Sequence, residues 1–147
     1  MKHLLIAATF LLLGAVVAHA QQSEIFAPGG KAIKGYDAVA FFKESKPVMG
    51  ADSLSYDWKG AHWLFSSTQN RDAFKKAPER YAPQYGGYCA YGTAEGHKAP
   101  TQTDTWTIVN DKLYFNYNSN VKQSWVKNQQ ALIEKADQNW PALKDKK

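Results

Sequence analysis

The chain has 147 residues, of which 44% are hydrophobic, 14% aromatic and 21% charged, with a formal net charge of +5 at pH 7. That is one domain's worth of chain, long enough to bury a core without disulfides, which a single cysteine does not supply within one chain. The positive charge is mild and spread out, so nothing points to a nucleic-acid partner.

Residues 1–20 (MKHLLIAATFLLLGAVVAHA) run from one lysine through an uncharged apolar stretch to Ala18-His19-Ala20. That basic, apolar and small-residue order is the pattern of a secretory leader cleaved after Ala20. The apolar run of about 15 residues is short of the roughly 20 that span a bilayer. A soluble protein, periplasmic or secreted, with no membrane span after cleavage is therefore expected. Residues 21–33 carry Pro28-Gly29-Gly30 and read as an irregular lead-in, followed by one domain over 34–141.

Within that domain GYDAVAFF (35–42) is a compact apolar stretch, strand or short helix. LSYDWKGAHWLFSS predicts a hairpin: Tyr56 and Trp58 alternate with Ser55 and Asp57, Lys59-Gly60 turns, and Trp63 and Phe65 resume the alternation. Ser67 caps a helix through TQNRDAFKKA, which Pro78 ends. PERYAPQYGG is a loop, and YCAYGTAEG a short helix starting at Tyr88 or Cys89 and ending by Gly96. TWTIV, a turn at Asn110-Asp111 and KLYFNYN make a second hairpin. One last helix places Val121, Trp125, Leu132 and Ala136 on a single face. Residues 142–147, ending in KDKK, read as a disordered basic tail. The sum is a small α+β domain, an antiparallel sheet of about four strands in two hairpins with helices packed on it.

The only cysteine, Cys89, follows Gly86-Gly87 at the start of the predicted short helix. Unpaired backbone N–H groups and the positive helix end favour thiolate over thiol there, which suits a nucleophile or a soft-metal ligand. Gly86 and Gly87 permit a sharp bend and close approach of a ligand, and with Tyr88 they are the expected cofactor-binding positions; Tyr36, Tyr85, Tyr88, Tyr91 and Tyr114 read as core and rim, although a tyrosine hydroxyl near Cys89 is able to orient or protonate the sulfur. The competing expectation is a small buried hydrophobe. A protease-type Cys–His pair would need His97 to fold back from beyond a glycine, and a structural zinc site needs four ligands. A Cu(I) site of lower coordination is permitted, with Cys89 as ligand and His62, His97 or Met49 in support. His62 on its strand and His97 on its loop are otherwise ordinary surface histidines.

The order of these segments resembles the exported YHS-domain proteins, from about Lys34 to Trp140. Its most specific parts are Trp63-x-Phe65-x-Ser67, Phe74-x-x-x-Pro78-x-x-Tyr81 and Gly86-Gly87-Tyr88-Cys89-Ala90. The resemblance implies a YHS-like fold and an association with metal handling. The metal-associated members carry one cysteine in a D-P-V-C-G-M opening and two in F-C-S-x-x-C, and those positions fall here at Ala40, Ser66 and Asn70. All three cysteines are missing, while in the exported branch the sulfur, or a selenocysteine, sits at Cys89. Three functions follow as expectations: binding of copper or another soft metal ion through Cys89; thiol redox chemistry, with Cys89 as nucleophile and an external thiol partner protein as resolver; and a non-catalytic interaction module. Oligomeric state is left open.

Overall fold

A computed structural model describes residues 23–146. The leader expected over 1–20 lies outside the described residues. The lead-in is two single 3₁₀ turns, Pro28–Gly30 and Ala32–Gly35. The ambiguous GYDAVAFF stretch resolves as helix α1, Ala38–Lys43, because Asp37 caps it by accepting from Val39 N and Ala40 N. Hairpin β1 (Ala51–Trp58) and β2 (Ala61–Phe65) turns at Lys59-Gly60 as the alternation predicts. Then come α2 (Thr68–Lys76), capped by Ser67, α3 (Pro78–Tyr81), a 3₁₀ turn at Gln84–Gly87 and α4 (Ala90–Ala94). Hairpin β3 (Gln102–Val109) and β4 (Lys112–Asn116) precedes α5 (Ser119–Lys127) and α6 (Gln129–Leu143).

The fold is α+β as expected, but the four strands form two separate two-stranded antiparallel sheets. The physical reason is that other segments occupy strand edges: Lys31 bridges to His62 on β2, and Cys89 bridges to Phe115 on β4. The single helix expected at the end is broken at Asn128, whose φ of −137° and ψ of 40° are not helical. Helix α6 ends at Leu143, which is buried, and the carbonyls of Lys144 and Lys146 accept from Lys98 Nζ. No described helix is long and apolar enough to cross a membrane.

Two hydrophobic clusters meet at β4. Phe41, Trp63, Phe65 and Phe74 pack with Leu113 and Phe115 in the first. Tyr85, Ala90, Trp125 and Ile133 pack with Tyr114 in the second. Side chains alternate across a strand, so β4 sends odd residues to one cluster and Tyr114 to the other. Each large side chain fully withdrawn from water contributes about 2–3 kcal/mol, which makes these aromatics the main source of stability.

Candidate functional site: the thiol cavity behind the double-glycine bend

The chain reaches Cys89 through a bend in which Tyr85, Gly86 and Gly87 all have positive φ, 57°, 62° and 87°. Gly86 is required there. A Cβ on it would lie 1.8 Å from the Glu24 carbonyl oxygen, and its own carbonyl accepts from Phe26 N at 2.9 Å. Tyr85 tolerates its left-handed backbone because its ring is packed in the second cluster and its hydroxyl donates to Asp137 Oδ1 at 2.8 Å. The Tyr88 hydroxyl points away from the sulfur and donates to the Ser23 carbonyl at 2.9 Å, so Tyr88 braces the lead-in. The Gly87 carbonyl accepts from Thr101 Oγ1 at 2.7 Å.

Cys89 is the N-cap of α4 and is pinned by its backbone: its N–H donates to the Ala99 carbonyl at 3.0 Å and its carbonyl accepts from Thr93 N and Thr93 Oγ1. The sulfur accepts from Gly92 N at 3.4 Å and faces Asn116 Oδ1 at 3.6 Å. The expected thiolate is corrected here. Burial pushes the thiol above its ordinary value, outweighing the N–H groups of Gly92, Tyr117 and Tyr91 that pull it down, and the Glu95 charge adds to the rise. Helix α4 has only five residues, and its short N-terminus does not offset the loss of water around a residue only 2% exposed.

The sulfur nevertheless borders space. Cys89, Gly92, Glu95, His97, Tyr117 and Val121 line one cavity of about 490 Å³. Gly92 lies between Cys89 and His97: its N–H donates to the sulfur at 3.4 Å, and a Cβ on it would come within 3.2 Å of His97 Nε2. His97 and Cys89 therefore line the same cavity on either side of Gly92. His62 is elsewhere, exposed on β2 opposite Asp57 and hydrogen-bonded to that carboxylate through Nδ1, so it takes no part in this cavity. Met49 is exposed and bridges Tyr36, also apart from the thiol. Among the described residues no three His, Cys, Asp or Glu side chains gather into a metal cage.

Phe41 to Tyr85, which runs from α1 through the first hairpin, α2 and α3 into the bend, matches a known family. It is a YHS domain. This family is often linked to the handling of metals, copper among them. Comparison with curated proteins and with solved structures gives no match. The YHS match ends at Tyr85, so Cys89 and the rest of its bend lie just beyond it.

The positions at which the resemblance places the YHS cysteines do converge, but on a carboxylate. Asp37, fully buried, accepts from Val39 N and Ala40 N through Oδ1, and from Ser66 N, Ser66 Oγ and Asn70 Nδ2 through Oδ2, over 2.7–3.2 Å. An amide, a hydroxyl and a methyl group are poor ligands for a soft cation, and the donors there are already satisfied. These residues do not fit a YHS metal centre.

Sequence reasoning missed Asn116 and the cavity wall. Asn116 is fully buried at the end of β4, and its Oδ1 also accepts from Tyr91 N at 3.2 Å. Its position in KLYFNYN, a polar residue inside an aromatic strand, was the available signal. Glu95 and Tyr117 reach the cavity only through the fold-back of the 95–99 loop and the β4–α5 junction, which no local pattern encodes.

Proposed function

We propose that this chain is an exported, single-cysteine member of the YHS family that carries a soft metal ion, Cu(I) foremost, on Cys89 with His97 in support. The observation that carries this reading is the cavity of about 490 Å³ that the only cysteine and an imidazole both line. The family's link to metal handling supports it, and so does the leader-like stretch at residues 1–20 for a periplasmic or secreted setting. Thiolate and imidazole are the donor types that Cu(I) selects over carboxylates and hydroxyls. Loading exchanges the thiol proton for the cation, so the proton goes to solvent and the sulfur remains as ligand. Backbone bonds on both sides of Cys89 hold the ligand in place before the ion arrives. Redox chemistry at this sulfur is the weaker reading, because a thiol whose ionisation is pushed up presents little thiolate to a disulfide or a peroxide.

The test is an anaerobic Cu(I) titration against a chromogenic chelator. Wild type is expected to bind one ion tightly and Cys89→Ser to lose the site. His97→Ala is expected to weaken it about tenfold to a hundredfold, at least the effect of losing an orienting partner. Equal affinity in wild type and Cys89→Ser defeats the reading.

A further inference from the structure

The loop that follows α4 ties the thiol to a segment far along the chain. Glu95, His97 and Ala99 form one wall of the Cys89 cavity, and the Ala99 carbonyl accepts from the Cys89 N–H. Between His97 and Ala99, Lys98 leaves that wall. Its ammonium stands 5.3 Å from the centroid of the Tyr88 ring and 5.8 Å from that of Trp140 in α6. It donates to the carbonyls of Ser23 at 3.3 Å, Lys144 at 3.1 Å and Lys146 at 3.5 Å. One cation thus clasps the lead-in, two aromatic faces and the residues just past α6. Burial pulls its ionisation down, and the carboxylates of Asp145 and Glu24, on the two clasped segments, oppose that fall. Bonds from a charged donor are stronger than neutral ones. At the other side of the loop Gly96 has a φ of 92° and nothing within 4 Å of an added Cβ, and residues 98–100 belong to no helix or strand.

We propose that residues 144–146 are a latch on the thiol. Held by Lys98, they keep the 96–100 loop closed against Cys89, which is only 2% exposed. Their release lets the loop swing at Gly96 and brings the sulfur to solvent. The inference concerns how the sulfur is reached and is independent of the metal reading, since it holds whatever the sulfur then meets.

The test is the rate at which N-ethylmaleimide alkylates Cys89 in the folded protein at one fixed pH, compared with the urea-unfolded chain. Wild type is expected to react far more slowly folded than unfolded. Lys98→Met keeps a stem against Tyr88 and Trp140 and removes the cation. A stop after Leu143 removes the clasped carbonyls and keeps the buried end of α6. Each is expected to raise the folded-state rate about tenfold or more, the scale of one lost bond to a charged group. Lys98→Arg, which keeps the cation, is expected to stay close to wild type. Urea midpoints measured alongside separate local opening from global loss of stability, because a latch gives more acceleration than the midpoint shift accounts for. Wild type labelled as fast as the unfolded chain overturns the inference. So does an unchanged rate in Lys98→Met or in the shortened chain, a rate in Lys98→Arg equal to that of Lys98→Met, or acceleration that global unfolding explains in full. Should one variant fail to fold, the other decides.

Discussion

A fully buried carboxylate persists only where its oxygens are met, and five donors from α1, the end of β2 and α2 meet those of Asp37. Asp37→Ala strands all five at once, several of them out of water. The expected cost is about 3 kcal/mol or more, read as a shift in the urea midpoint with little change in slope. Part of this is local: an aspartate directly before an apolar run suits a turn or a helix cap, and Asp37 caps α1. The convergence of Ser66 and Asn70 on the same oxygen is not, because it depends on how the hairpin returns α2 to α1. The state of Cys89 was misjudged for a related reason. A helix start is a local signal that favours thiolate, whereas the burial that overrides it is supplied by β4, α5 and the loop at Ala99, all distant in sequence.

Both hairpins could be read from alternation and their Lys59-Gly60 and Asn110-Asp111 turns, since cross-strand partners there are close in sequence. Their separation into two sheets was hidden, because Lys31 and Cys89 dock on strand edges as isolated bridges that leave no periodic trace. The bend between α3 and α4 makes the sharpest prediction at this scale. Gly86 stands at a φ of 62° with its Cα facing the Glu24 carbonyl, so Gly86→Ala meets both backbone strain and a clash with main chain. We expect a loss of about 3 kcal/mol or more, with amide exchange accelerated first at Phe26, whose N–H is bonded to Gly86. Gly60→Ala shares the positive φ but has nothing within 4 Å of an added Cβ, and is expected to cost about 1 kcal/mol.

Across the whole molecule, the buried phenols and thiol set how stability responds to base. Burial raises Tyr85 well above its ordinary range and Tyr88 in the same direction, and Tyr114 is pushed up to about 12. A group whose ionisation is raised by folding favours the folded state fully below its ordinary value, and that advantage drains as pH climbs through the folded value. Thermal midpoints should therefore hold steady up to about pH 8.5, decline as Cys89 begins to matter, and fall steeply above pH 10 as the tyrosines join. Cys89→Ser is expected to remove the first decline and keep the second. The two-sided packing of β4 has a practical corollary for anyone wishing to cut this protein down. The recognisable module stops at residue 85, yet Leu113 and Phe115, which seal its aromatic interior, are lent by a strand well past that point. Excised on its own, the module would open Phe41, Phe65 and Phe74 to solvent and clump rather than fold. Family half and sulfur half are two rooms with one common partition, and neither stands once it is removed.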